Sequence, residues 1–340
     1  MSHRLPLPRR RRAMLLAGSG AALVIALLLA PTVGSTSVSL QRVWADPFRW
    51  ADNPDAAVFF VARLPRVLLA CMVGGTLALA GATFQSLLRN PLASPYTLGV
   101  TAGTTLAAFL AIRFSPGPAF AEFSVPVLAL AGALTTTGLL LLLTSRRGDL
   151  PPTVLLLAGV TLNFTISAGV LLLQYFSDHA ETARMIRWLM GDLDAATYRM
   201  LLLLALASLP GWWALLRAGR TLNLLSLGPD EASAQGVSAP AATRSGLLWA
   251  SWITGLAVAV AGPVGFVGIL VPHAVRLLGG YDYRIVLPAS MLGGAAFLIT
   301  CDTAARLLLA PVELPVGILT ASLGGPFFLV LLLSRRIRHV

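Results

Sequence analysis

The sequence contains no lysine, and all 25 of its Lys or Arg positions are arginine. A P-loop places a lysine on the nucleotide phosphates, and a Schiff-base enzyme uses a lysine amine as its nucleophile. The absence of lysine therefore excludes a Walker A motif and imine-forming chemistry within this chain. Any ATP hydrolysis connected with this protein has to be carried out by a separate subunit.

Charged residues and cysteines are also scarce. Only 11% of the 340 residues are charged, and Cys71 and Cys301 are too few for a disulfide framework. The connections between apolar runs are mostly short, which leaves no room for a soluble catalytic domain. His273 lies far in sequence from the other histidines, so a structural role is favoured over metal binding. We predict no catalytic residue, no cofactor and no metal site.

Hydrophobic residues, in contrast, make up 56% of the chain, and the mean hydropathy is +0.80. The apolar runs have the length of about 17 to 25 residues that a membrane helix needs. We predict an all-α, polytopic membrane protein whose residues 1–340 form a single transmembrane domain with ten transmembrane helices. The predicted spans are 13–33, 62–86, 95–112, 122–144, 151–175, 198–216, 242–261, 263–279, 285–305 and 314–333.

The arginines are unevenly distributed between the two sets of loops that these spans create. The face that carries the N terminus holds 16 arginines and four acidic residues, hence +12, and the other face holds nine arginines and ten acidic residues, hence −1. Because arginine-rich loops stay in the cytoplasm, both termini and the basic tail 1–12 are predicted to be cytoplasmic. This bias accounts for the net charge of +11 without a nucleic-acid partner. A signal peptide is disfavoured because the first apolar run is long and lacks an A-x-A site.

Three arginines are predicted at the outer face. A helix that begins near Pro65 places Arg63 and Arg66 at the positive end of its dipole, which is unfavourable for cations. Snorkelling to lipid headgroups is one interpretation, and pairing with the carboxylates of a partner is the other. Arg306 follows Asp302 by four residues, the spacing of an intrahelical ion pair, and is placed to join the first two arginines.

The cytoplasmic connection 217–242 contains the sequence GPDEASAQGV. Pro229 suits the first position of a helix, Asp230 and Glu231 complement the positive end of its dipole, and Gly236 suits the position after its end. We predict a two-turn helix over 229–235. A helix this short is marginal alone, so it is held by its own subunit or by a partner, unless the segment is a simple connector.

Two further segments are candidates for a transport pathway. The outer connection 176–198 contains an apolar patch, 185–191, that predicts a short helix at the surface, either anchored by Trp188 or acting as a gate. The segment 262–276 reads GPVGFVGILVPHAVR. Prolines and glycines free backbone groups that need hydrogen-bond partners, so they are tolerated in a membrane only where the segment faces protein or a water-filled cavity. Gly265, Gly268 and Pro272 are therefore predicted to be hinges or close-packing points of a short eighth span.

No acidic residue lies near the middle of any predicted span. Carriers coupled to protons or sodium commonly place ionisable groups within the membrane. A secondary carrier or channel that works without an ATPase is therefore the less favoured alternative.

Four motifs, in this order and at this spacing, resemble the FecCD family of ABC-importer permeases: RLPR (63–66), NPLASPYTLGV (90–100), GPVGFVGILVPHAVR (262–276) and PVELPVGILTASLGGPFF (311–328). The likeness covers a family core of about 62–333. The resemblance implies a type II ABC-importer permease fold that dimerises around a central pathway in the bacterial cytoplasmic (inner) membrane. It implies two ATPase subunits below the dimer and a periplasmic binding protein or lipoprotein above it.

The resemblance also assigns roles to individual residues. Arg63, Arg66 and Arg306 match arginines that receive acidic residues from the two lobes of the binding protein. The helix 229–235 resembles the coupling helix that lies in a groove of the ATPase, and its contact residues are Pro229, Asp230, Glu231, Ala232, Ala234, Gln235 and Gly236. Trp188, Met190 and Gly191 correspond in position to a short helix near the pathway.

The expected function is that of a permease without covalent chemistry of its own. Ferric siderophores are the expected substrates, and haem and cobalamin are close alternatives. The protein is expected to work as a homodimer or paired with a similar permease.

Overall fold

The computed structural model of the protein describes residues 9–34, 36–47, 52–115, 117–145, 150–194 and 196–333. These ranges contain helices and loops and no strand. The helices are α1 (Arg9–Leu29), α2 (Leu40–Ala45), α3 (Pro54–Ala57), α4 (Leu64–Leu87), α5 (Val100–Phe114), α6 (Pro118–Thr144), α7 (Pro152–Tyr175), α8 (His179–Met190), α9 (Tyr198–Arg217), α10 (Gly219–Leu227), α11 (Pro229–Ala234), α12 (Ala239–Ala261), α13 (Val267–Gly279), α14 (Tyr283–Leu308) and α15 (Val316–Leu333).

Seven stretches of helix within the described residues are long and apolar enough to cross a membrane. They are Arg10–Thr32, Pro54–Leu87, Phe123–Thr144, Pro152–Tyr175, Tyr198–Arg217, Ala239–Ala261 and Tyr283–Leu308. Three shorter apolar helices, Val100–Phe114, Val267–Gly279 and Val316–Phe327, lie where the third, eighth and tenth spans are predicted. The all-helical membrane class is confirmed, whereas ten crossings stay a prediction because α5 and α13, with 15 and 13 residues, are shorter than an ordinary span.

Two predicted spans begin too early. The helix of the third predicted span, α5, begins at Val100 rather than at residue 95. Ser94 and Thr97 form a turn before it, in which the Thr97 hydroxyl donates to the Ser94 carbonyl at 2.8 Å. The helix of the eighth predicted span, α13, begins at Val267 rather than at residue 263, because Gly262 and Phe266 adopt positive φ angles of 68° and 65°. Both irregular stretches contain prolines, whose nitrogens cannot donate to a helix.

The tails of the chain are described only in part. Residues 1–8 of the predicted basic tail and the arginines after residue 333 lie outside the described residues. Within the described part, Arg10 to Arg12 belong to the first turn of α1 rather than to a separate tail.

Helix α4 lies at the centre of the bundle. In its most apolar stretch 83% of the residues are buried, against 6% in the stretch that contains α1. Close approach to its neighbours depends on glycine: a methyl group on Gly74 would overlap the carbonyl of Gly294, and one on Gly81 would overlap that of Gly268. Small residues therefore let α14 and α13 pack directly on the α4 backbone.

Contacts at the two ends of α14 define the two faces of the bundle. At its start, Nη1 of Arg12 lies 3.3 Å from Oδ2 of Asp282, and near its end Nη2 of Arg306 donates to the carbonyl of Ala30 at 3.4 Å. Helices α1 and α14 are therefore parallel. We call the end that carries Arg12 and Asp282 the N-terminal face, and the end that carries Ala30 and Arg306 the opposite face.

Candidate functional site

On the opposite face, one arginine binds three carboxylates. Nε of Arg66 donates to Oδ1 of Asp302 at 2.9 Å, and its Nη1 donates to Glu313 at 2.5 Å and to Asp194. Asp302 belongs to α14, whereas Asp194 follows α8 and Glu313 precedes α15. Arg66 therefore joins α4 to three separate parts of the chain. We call Arg63, Arg66, Asp194, Asp302, Arg306 and Glu313 the arginine cluster.

Asp302 also pairs with Arg306, whose Nε lies 3.2 Å from its second oxygen. The ion pair predicted from the four-residue spacing is therefore confirmed. The Arg306 guanidinium in addition donates to the carbonyls of Ala30 and Val33, at 3.4 and 3.3 Å. These carbonyls lie at the end of the first span, where the last carbonyls of a helix have no partner within the helix. A positive charge there donates hydrogen bonds to them and interacts favourably with the negative end of the helix dipole.

Arg63 binds the same stretch of chain. Its guanidinium donates to the carbonyl of Pro31 at 3.3 Å, to the hydroxyl of Thr36 at 3.1 Å and to the carbonyl of Thr36. A side chain on Gly34 would displace this guanidinium from its present position. Arg63 and Arg306 thus fasten the end of the first span to the bundle.

The structure brings the three predicted arginines together but does not leave them exposed. Arg63, Arg66 and Arg306 retain 6%, 9% and 3% of their accessible surface. Their burial was not predicted, and the chain itself supplies acceptors for all three guanidinium groups. These acceptors were missed since Asp194, Asp302 and Glu313 lie 128, 236 and 247 residues from Arg66. The docking role stays a prediction.

The exposed part of the arginine cluster is acidic. The side chains of Asp194 and Glu313 are 57% and 36% exposed, against 11% for Arg66. Burial raises the pKa of Asp194, the charge of Arg66 opposes that rise, and the carboxylates of Asp192 and Glu313 add to it. Asp194 is therefore held less firmly as an anion than its contact with Arg66 alone would suggest.

The predicted short helix of the 176–198 connection is α8. Asp178 and Glu181 form a capping box at its start, and Nη1 of Arg113 donates to Glu181 at 3.0 Å. Along the helix, Trp188 meets Phe109 edge to face, with ring centroids 6.2 Å apart. An ion pair and an aromatic contact therefore hold α8 on α5.

The end of α8 contacts the start of the segment 262–276. Gly191 turns the chain with a φ of 73°, and the amide of Asp192 donates to the carbonyl of Ala261 at 2.9 Å. Gly262 lies against the carbonyl of Trp188, and Gly317 of α15 lies against that of Met190, with no space for a side chain at either glycine. The predicted gate residues therefore touch both α15 and the α12–α13 loop.

A cleft lies beside the irregular start of α13. Gly268 is part of its wall and Gly265 adjoins it, whereas Pro272 is buried one turn further along the helix. Opposite, Nε2 of Gln85 donates to the Gly268 carbonyl at 3.1 Å. The cleft is lined by Leu77, Ser94, Pro95, Tyr96, Val264, Phe266, Gly268 and Ile269.

Sequence reasoning missed two aromatic residues of this cleft. Phe266 has a positive φ and its ring lies against Gly324, and Tyr96 lies within the turn that delays α5. Two features of the sequence could have indicated them. Gly265 and Gly268 lie on either side of Phe266, and Pro91 and Pro95 precede Tyr96.

Helix α11 forms where the sequence predicts a short helix, and it ends one residue earlier. Pro229 occupies its first turn with Asp230 and Glu231, Gln235 follows its end, and Gly236 has a φ of 76°. Ala232 is fully buried, and the other predicted contact residues are exposed. They are Pro229, Asp230, Glu231, Ala234, Gln235 and Gly236.

Comparison with known proteins gives concordant matches over most of the chain. The profile of the FecCD transport family matches residues 22–334. The hemin transport system permease protein HmuU of Yersinia pestis is 42% identical over 318 residues, 92% of this chain and 93% of that protein. The vitamin B12 import system permease protein BtuC of Escherichia coli is 37% identical over 316 residues, 92% of this chain and 93% of that protein. A solved structure of a metal-chelate type ABC transporter, in an inward-facing conformation, has a TM-score of 0.84 and 32% identity, and the match covers 95% of this chain and 99% of that one.

Proposed function

Because the chain belongs to the FecCD transport family, we propose that it is the membrane permease of an ATP-driven importer of metal chelates. Ferric siderophores are the expected substrates. The named relatives that carry hemin and vitamin B12 support haem and cobalamin as the close alternatives. We place the chain in the bacterial cytoplasmic membrane, with ten crossings and both termini in the cytoplasm.

The observation that carries this proposal is the exposure of α11. Its six residues are too few for a helix that is stable alone, and Ala232 is the member buried against the bundle. Six exposed contact residues around that anchor suit a helix that enters a groove on another protein. We propose that the groove belongs to an ATPase, one copy for each of two permease subunits, the second being identical or similar to this chain.

The proposed action of the permease is mechanical, and ATP is hydrolysed by its partners. Closure of the ATPases around nucleotide moves α11, and the spans rearrange between outward-open and inward-open states. Trp188, Met190 and Gly191 form the proposed gate on the opposite face. Gly265, Gly268 and Pro272 are the proposed hinges of α13. The contact between Gly191 and the α12–α13 loop connects the proposed gate to these hinges.

We propose that the opposite face receives the substrate-binding protein at the arginine cluster. Since Asp194 and Glu313 occupy Arg66 and are partly exposed, carboxylates of the incoming protein would replace them rather than meet a free cation. Arginine suits this exchange because its planar fork accepts a new carboxylate with the same geometry. Arg63 and Arg306 contribute positive charge behind Arg66.

Uptake into membrane vesicles tests the importer function. The permease is reconstituted with its ATPase, either active or catalytically inactive, and supplied with its binding protein and with hemin, cyanocobalamin or a ferric hydroxamate siderophore. We expect uptake of at least one probe with the active ATPase only. Uptake that continues with the inactive ATPase would favour the secondary carrier or channel and would sink the proposal.

Neutralising an exposed carboxylate of the arginine cluster tests docking. Glu313→Gln removes one competitor for Arg66, so the dissociation constant for the binding protein should fall by roughly threefold to tenfold, the worth of one ordinary hydrogen bond, because Glu313 is partly exposed. Asp55→Asn is the matched control, since Asp55 pairs with the exposed Arg42 at 3.9 Å and takes no part in the arginine cluster. Equal affinity of the two variants would reject docking by carboxylate exchange.

A further inference from the structure

The side chain of Asn223, in α10, is bonded in both directions to the start of α14. Its Nδ2 donates to Oδ1 of Asp282 at 2.8 Å, and its Oδ1 accepts from the backbone amide of Tyr283 at 2.8 Å. Two bonds from one planar amide fix the direction of α10 as well as its distance from α14. We call this pair of bonds the Asn223–Asp282 clamp.

The carboxylate of the clamp is firmly charged. Asp282 caps α14 by accepting from the amide of Arg284 at 3.1 Å, and the Arg284 guanidinium donates to it at 3.0 and 2.9 Å. Nη1 of Arg12, in α1, lies 3.3 Å from Oδ2 of Asp282. Burial alone would raise the pKa of Asp282, but the hydrogen bonds from Arg284 and Asn223 outweigh it and hold the pKa at about 2. A hydrogen bond to a charged acceptor is stronger than one between neutral groups.

Helix α10 lies directly before α11, with Gly228 between them. It is held against the bundle at several points besides the clamp. Nη2 of Arg89 donates to the carbonyl of Leu225 at 2.8 Å, and Leu222 and Leu225 are buried. A displacement of α11 therefore reaches α10 as well as α12, and the clamp is a polar contact through which α10 acts on α14.

The far end of α14 carries the arginine cluster. The helix is continuous from Tyr283 to Leu308, so Asp282 and Asp302 are joined by about 30 Å of helix at 1.5 Å per residue. A continuous helix with a polar contact at each end is able to carry a displacement across the bundle.

We propose that Asn223 and Asp282 are positioning residues that transmit movement of α11 to α14 and thereby couple ATP hydrolysis to transport. The inference rests on the proposed role of α11 as the contact for the ATPase. It predicts that breaking the clamp lets the ATPase run without moving substrate, whereas a loss of folding would lower both rates together.

An exchange of the two side chains provides the test. Asn223→Asp places two carboxylates face to face, whereas the double variant Asn223→Asp with Asp282→Asn restores one donor amide, one carboxylate and an N-cap residue. Both are reconstituted with the ATPase and binding protein, and uptake of hemin, cyanocobalamin and a ferric hydroxamate siderophore is measured per ATP hydrolysed. Asn53→Asp is the control, since it makes the same chemical change on the opposite face.

We expect Asn223→Asp to lower uptake per ATP on the order of tenfold, the effect of losing one charge-assisted hydrogen bond, and the double variant to recover most of it. Asn223→Ala, which removes both bonds without adding charge, should show the same direction of change and replaces Asn223→Asp if that variant does not assemble. An unchanged ratio in an assembled single variant, or no recovery in the double variant, would overturn the clamp. Uptake by the unmodified complex without ATP would instead reject the proposed function.

Discussion

The carboxylate of Asp302 lies between two arginine side chains, and only 1% of it is exposed. Asp302→Asn keeps the shape of this side chain and removes its charge. Because it leaves Arg66 and Arg306 buried without their shared anion, we expect the free energy of unfolding to fall by about 3–5 kcal/mol. Thermal unfolding in detergent measures the loss.

Arg42→Ala is the surface control for this substitution. Arg42 is 80% exposed and lies 3.9 Å from Asp55, so its removal should cost less than about 1 kcal/mol. An equal fall in the free energy of unfolding for the two variants would show that burial does not increase the contribution of the Asp302 charge to stability.

The low pKa of Asp282 has a consequence for pH dependence. A carboxyl whose folded pKa is about 2, below its ordinary 3.8, contributes stability above that ordinary value and loses it as the pH falls toward 2. The difference in unfolding midpoint between the unmodified protein and Asp282→Asn should therefore be constant from about pH 5 to 8. A difference that grows or shrinks across this range would contradict the assigned pKa.

At the scale of single residues, the sequence predicts what is local. The Asp302–Arg306 pair and the contents of α11 follow from spacing and from helix-end preferences, and both are present. The acceptors of Arg63 and Arg66 lie far away in sequence, on segments brought near by packing. Because no local pattern encodes that packing, the burial of the arginines could not be predicted.

At the scale of helices, two glycines provide a matched comparison. Gly81 faces the backbone of α13. Around Gly138 of α6, no atom of the described residues beyond its own turn of helix lies within 4 Å of the place a side chain would take. We expect Gly81→Ala to lower the free energy of unfolding by about 1–3 kcal/mol through overpacking. Gly138→Ala should be neutral or stabilising by up to about 1 kcal/mol, because alanine is the better helix former.

Chemical denaturation in detergent measures both glycine variants under one condition. A Gly81→Ala protein as stable as Gly138→Ala would mean that α4 and α13 do not approach as closely as described.

Helix interiors are more predictable than helix ends. Each predicted apolar run contains a helix, since hydrophobicity alone identifies such runs. The starts of α5 and α13 were missed because proline and positive φ angles interrupt segments that are still apolar. Both interruptions also line the cleft, and the second adjoins Gly265 and Gly268, two of the proposed hinges of α13.

At the scale of the whole molecule, the predicted orientation has a direct test. Tyr281→Cys and Val312→Cys, both at exposed positions, are introduced separately after Cys71 and Cys301 are replaced by alanine. Because arginine-rich loops stay in the cytoplasm, Tyr281→Cys should react with a membrane-impermeant thiol reagent only after cells are opened. Val312→Cys should react in intact cells, and the reverse pattern would invert the topology.

Family, fold class and orientation were all suggested by the sequence, since motifs and charge distribution extend over the whole chain. Family and fold class are confirmed by the match over residues 22–334 and by the helical structure. Substrate choice and the second subunit are not encoded in one subunit's local patterns, because they depend on surfaces formed between chains.

The attachment of α1 at both of its ends has a consequence for biosynthesis. Asp282 and Arg306 hold α1 from far along the chain, since Arg306 lies 276 residues after Ala30, whereas Arg63 reaches Pro31 across only 32 residues. During translation α1 and Arg63 are made well before α14. The helix waits in lipid without its contacts to α14, which its mean hydropathy of 2.4 permits. Attachment of α1 to α14 is thus one of the last steps of assembly, and a ribosome that stalls before residue 282 would release a chain whose first helix is held by Arg63 and not by α14.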